Sequence, residues 1–148
     1  MMNKRMIFIF LAGFSMALLL SCQQKVTETT ATRWTEEKAA QWHADNGWLR
    51  GSNFNPSTAI NQLEFWQAET FDPETIDREL GWAAGIGLNC MRVYLHHVAW
   101  EVDKEGFKQR MDQYMQIAAK HGIKTIFVFF DDCWNPTYQA GTQPEPKP

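Results

Sequence analysis

Three short clusters hold the side chains of this chain that could do chemistry: Asn53-Phe54-Asn55, then Arg92 with His96-His97, and finally Asp131-Asp132-Cys133-Trp134. Each lies at the carboxyl end of a candidate strand. The planar fork of Arg92 suits a carboxylate, either in an ion pair between strands or in a site. Asn53, Asp131 and Asp132 can bond hydroxyl groups or cap a loop, and Phe54, Trp66 and Trp134 can serve as flat binding platforms or as core. One of the two histidines can line a cleft. Neighbours on an extended strand point to opposite faces, so His96 and His97 cannot share a metal ion without a turn, and no metal and no cofactor are expected.

The composition narrows the partners. Among 148 residues, Lys and Arg number 14 and Asp and Glu 17, a net charge of -3, and the longest basic cluster is Lys4-Arg5. That gives no footprint for nucleic acid, which needs cations gathered on one face. With 45% hydrophobic and 14% aromatic residues the chain can build a core. Six of the seven Trp lie between Trp42 and Trp134, and such an excess suits a binding surface as well as packing.

The elements that must position these clusters alternate strand and helix. Trp48 to Phe54 reads as a first strand, stopped by Asn55-Pro56. Asp72-Pro73-Glu74 signals a helix start, Ile76, Leu80 and Ala83/Ala84 follow at helical spacing, and Gly85 ends the element. Leu88 to Leu95 is strand two. A second helix carries Phe107, Met111, Tyr114/Met115 and Ala118 on one stripe, with Lys120, His121 and Gly122 closing it. Thr125 to Phe130 is strand three, whose apolar run wants burial on both faces, as in a parallel sheet covered by helices.

Such alternation indicates an α/β protein built from crossover units. Gly51-Ser52-Asn53 is not the Gly-rich turn of a dinucleotide-binding sheet, whereas chemistry gathered at strand carboxyl ends fits an eightfold (β/α)8 TIM barrel. Units of roughly 36 to 40 residues would need about 300 for eight. The expectation is a barrel of which the chain holds about the first three units, with residues 34–148 as its amino-terminal part.

Residues 1–21 read as an export signal: Lys4 and Arg5, then an apolar run from Met6 to Leu20 that is short for a membrane span of about 20 residues. Leu19-Leu20-Ser21-Cys22 resembles the bacterial lipobox, which implies cleavage before Cys22, a lipid anchor on it and, with Gln23 following, attachment at the outer membrane. The mature chain would keep 127 residues, with 12 cations against 17 acids. Residues 22–33, rich in Thr and Gln, read as a tether. Cys90 early in strand two and Cys133 beyond strand three lie too far apart for a disulfide, so two free thiols are expected.

Trp48-x-Arg50-Gly51-x-Asn53-Phe54-x-Pro56, Asn89-x-Met91-Arg92-Val93 and His121-Gly122-Ile123-Lys124 resemble the first three units of glycoside hydrolase clan A. Phe65-Trp66-Gln67 and the run from Glu79 to Gly87 are similar to bacterial lipoproteins of the family-five endo-1,4-β-xylanase or cellulase type. The resemblance implies retaining hydrolysis of a β-1,4-linked, plant-type polysaccharide by two Glu, an acid/base and a nucleophile, both beyond Pro148, so that the 148 residues alone would be inactive. It implies that Arg92 holds the nucleophile ionised, with Asn53, Phe54, His96, Asp132 and Trp134 as supporting or substrate-binding residues. The strand-three end departs from the pattern, having Asp131-Asp132-Cys133-Trp134 where many members have a His. A non-catalytic carbohydrate-binding surface lipoprotein is the other reading.

Overall fold

The computed structural model of the chain describes residues 33–131 and 137–144. In chain order these form α1 (Glu36–Asn46), β1 (Gly51–Asn53), α2 (Gln62–Trp66), α3 (Pro73–Gly85), β2 (Cys90–Tyr94), α4 (His97–Val102), α5 (Lys104–Lys120) and β3 (Lys124–Val128). The chain divides after Ala40 into two units. The described residues of the first are the start of α1, where Thr35 Oγ1 accepts a bond from Lys38 N at 3.2 Å and the Lys38 ammonium lies 4.7 Å from the Trp34 ring centre. No residue of α1 is buried. All the other elements belong to the second unit.

Local chemistry sets the helix boundaries. Asp72 accepts from Thr75 N at 3.0 Å with Pro73 at the first helical position, so α3 starts where an amide acceptor and a preset φ coincide. Asp103 does the same for α5 through Gly106 N at 3.0 Å, and Asn61 for α2 through Glu64 N at 2.9 Å. At the end of α5 the chain turns at Gly122, whose φ of 68° lies in the region that side chains resist.

The three strands pair in parallel in the order β1-β2-β3, with Gly51 beside Cys90, Asn53 beside Arg92 and Arg92 beside Ile126. Helices cover one face. There Met91, Val93 and Leu95, alternate residues along β2, meet a core of Leu63, Phe65, Trp66, Ile76, Leu80, Phe107, Tyr114 and Ala118. Trp66 lies at its centre, stacked on Phe65 at 4.3 Å and donating Nε1–H to the Tyr94 carbonyl at 2.7 Å. Each such side chain contributes about 1.5 to 3 kcal/mol by leaving water, and the one polar atom of Trp66 is satisfied.

The eightfold barrel expected from the sequence is not formed by the described residues. Three strands in chain order leave β1 and β3 as edges, and a sheet closes on itself only with about eight strands at matched stagger. What stands instead is an open three-stranded parallel sheet with five helices among the described residues. The expected two-sided burial of strand three fails with it, since Ile126 is 50% and Phe129 71% exposed. Phe130 has φ of 53°, which no strand can continue through, so β3 stops at Val128 instead of Phe130. On α5 the buried stripe runs Phe107, Arg110, Tyr114, Ala118; Met115, placed on the stripe by the sequence, faces solvent.

Candidate functional site

The period of two along β2 puts Cys90, Arg92 and Tyr94 on the face that carries no helix among the described residues. The register then sets Asn53 on one side of Arg92 and Ile126 on the other. Cys90, Arg92, Asn53 and Ile126, together with Leu49, Gly51 and Ser52, line a hollow of about 370 Å³. Gly51 is required here by close approach, because a β-carbon on it would overlap the Cys90 carbonyl oxygen. Asn89 works behind the site: its Oδ1 accepts from Arg50 N at 2.7 Å and its Nδ2 donates to the Trp48 carbonyl at 3.1 Å, which ties the start of β1 to the start of β2.

The Arg92 guanidinium lies 4.6 Å from the Tyr94 ring centre, a cation over an aromatic face two residues along the same strand. Among the described residues Arg92 makes no ion pair and no side-chain hydrogen bond, so the strand-tying salt bridge weighed for it is not seen there. Among the described residues no acid lines the hollow. Its chemistry is therefore that of a planar donor fork and an amide on an open, partly apolar floor, fit to receive a carboxylate or the hydroxyl groups of a ligand. No protein-family model, no curated protein and no solved structure matches the chain.

The structure brings Asn53 and Arg92 together and sends the other candidates elsewhere. Phe54 turns to the helix-covered face, edge-on to Phe65 at 6.0 Å. Trp66 is wholly buried and offers no platform. His96 is buried at the start of α4, where its Nδ1 accepts from Val98 N at 3.3 Å, so the ring proton sits on Nε2. Its ring stacks on His97 at 5.2 Å and meets Tyr138 edge-on at 4.6 Å. The helix start supplies the turn that lets both imidazoles lie on one side, which strand alternation alone would forbid. Among the described residues no group of three His, Cys, Asp or Glu is placed to hold a metal. Cys90 is a buried free thiol. Cys22, Asp132, Cys133 and Trp134 lie outside the described residues, while Asp131 is described and half-buried.

Tyr94, Cys90 and Ile126 were missed as site residues. Two of them, Cys90 and Tyr94, share the parity of Arg92 on one strand, a signal present in the sequence; Ile126 required the register between strands.

Proposed function

We propose that the chain belongs to a carbohydrate-active protein: a glycoside hydrolase of the endo-1,4-β-glycanase type that cleaves a plant-type β-1,4-linked polysaccharide with retention, exported and anchored at the bacterial outer membrane through Cys22. Supporting this reading is Arg92, an exposed guanidinium without a carboxylate partner among the described residues, beside Asn53 on the open sheet face. The resemblance gives that Arg the task of binding the nucleophile, and a nearby cation donating to a carboxylate favours its ionised form. The acid/base and nucleophile Glu belong, in this reading, to sequence after Pro148, so residues 1–148 are expected to be inactive by themselves.

The test is Arg92→Lys in the protein that includes the sequence following Pro148. Lys keeps the charge and loses the planar fork, so kcat/KM on xylan or cellulose should fall by roughly tenfold to a thousandfold, with the acidic limb of the pH profile moved upward. A normal kcat/KM with an unmoved limb removes Arg92 from the site. A second reading, a surface lipoprotein that binds the same polysaccharide without chemistry, draws on the same exposed Arg92 and Asn53, which suit hydroxyl groups as well as a carboxylate. Retention of oligosaccharide with no release of reducing ends, whatever follows Pro148, would decide for it. Loss of fatty-acid labelling in Cys22→Ala checks the anchor.

A further inference from the structure

Away from the sheet face, the turn Gln67 to Glu69 that follows α2 encloses with α4, α5 and the segment around Gly141 a cleft of about 260 Å³. Its floor is Arg110, nine-tenths buried on the stripe of α5 that otherwise carries core residues. Of the five N–H donors of a guanidinium, Nε donates to the Trp66 carbonyl at 2.8 Å and one on Nη1 to Asp103 Oδ2 at 3.1 Å. The remaining three have no partner among the described residues. None of the Arg110 nitrogens is among the buried unpaired atoms of the described residues, so the spare donors are accessible at the cleft that Arg110 lines and open to a ligand there.

Charge selects what fills it. Asp103 and Glu69 also line the cleft, two carboxylates against one guanidinium, so an anion would meet net negative charge. Asp103 stays ionised over the working range, its carboxyl held below the usual value first by the Gly106 amide and then by Arg110. A neutral, polyhydroxylated ring meets both needs: its oxygens accept from Arg110 and a hydroxyl donates to Glu69. Ala99, Val102 and Ala140 supply apolar wall for C–H groups. The volume lies below the roughly 300 to 1,000 Å³ of sites for drug-sized ligands, which limits the ligand to a single ring.

We infer that this cleft between the turn after α2, α4 and α5 is a binding site for one neutral monosaccharide, held by Arg110. The site is separate from the open sheet face, and its ligand class follows from the charge and size of the cleft, so it stands if the reading of that face fails.

Amide and Arg side-chain resonances of the full chain, followed by NMR during titration with D-xylose, D-glucose and sodium D-glucuronate, test it. A neutral sugar should give saturable shifts at the Arg110 Nε–H and the Gly141 amide with a Kd on the order of millimolar, and glucuronate should bind more weakly. Because Arg110 also holds Trp66 and Asp103, its own substitution could unfold the protein, so Ala140→Leu is the informative variant. It fills the cleft from an exposed position and should weaken binding at least about tenfold with an unchanged melting temperature. In Arg92→Ala the shifts at the Arg110 Nε–H and the Gly141 amide should persist, whatever change appears at residues of the sheet face. The inference is overturned by the absence of saturable shifts with any neutral sugar, by tighter binding of glucuronate, or by binding that survives Ala140→Leu. Loss of binding in Arg92→Ala would move the sugar to the sheet face and overturn it as well.

Discussion

At Gly51 one missing methyl group lets β1 reach β2. Any side chain there would drive its β-carbon into the Cys90 carbonyl, and that oxygen is backbone, unable to swing aside. Gly51→Ala should therefore destabilise the fold by about 1 to 3 kcal/mol, the range for overpacking, read as a lower urea midpoint at unchanged slope. Asp77 shows a residue acting through charge. Both its oxygens accept from Lys120 Nζ at 2.8 Å, and Oδ1 lies 2.7 Å from His121 Nε2. Hydrogen bonding from Lys120 first and His121 second holds its carboxyl below the ordinary 3.8. A depressed carboxylate contributes stability that is present above the unfolded value and lost as pH falls through the lower folded one. Urea midpoints of Asp77→Asn should thus fall below the parent at neutral pH and converge with it well below pH 3.8; an offset that persists in acid would assign the effect to packing.

Among the elements, α3 and α5 were legible because their signals are local: for α3 an Asp-Pro start, a stripe at helical spacing and a Gly stop, for α5 the stripe and the Gly122 stop. The short helices α2 and α4 were not, since five and six residues carry too little period to be told from loop. Arg110 escaped for a different reason. A buried cation breaks the apolar pattern, and only the meeting of α2 with α5 supplies its acceptors, the Trp66 carbonyl and Asp103. The segment from Gln139 to Gln143 is held to α2 in the same nonlocal way, by uncharged amides. Gln67 donates to the Gly141 carbonyl at 3.1 Å and accepts from its N–H at 2.6 Å, and Asn61 donates to Gln143 at 3.1 Å. Gln67→Met keeps the volume and removes both bonds to Gly141. The expected result is a loss of about 1 to 3 kcal/mol and faster hydrogen exchange at the Gly141 amide, with little dependence on salt because no ion pair is involved.

Among the described residues one sheet face is core and the other carries no helix, and the hydrophobic pattern could not reveal this asymmetry. An apolar run such as Thr125 to Phe130 states that a strand prefers burial; it does not state how many strands or layers exist to bury it. The barrel expectation failed on that step, from local units to the number of neighbours. The site was legible to the same depth, since strand parity holds Arg92 on one face while its pairing with Asn53 needed the register. The face without helices and the edges that β1 and β3 present among the described residues also set how the chain behaves in solution. Ile126, Phe129 and Phe130 are exposed along the β3 side, and the single charge within β3 is Lys124 at its start. An uncharged apolar edge is a template for pairing with another chain, and natural proteins blunt such edges with Lys or Pro. Concentrated protein should therefore self-associate. The double change Ile126→Lys and Phe129→Lys adds charge where burial is already incomplete, so it should reduce association, measured by sedimentation or light scattering, without lowering the melting temperature at high dilution. Equal association of parent and variant would show that the open face and the β3 edge are not the surfaces involved.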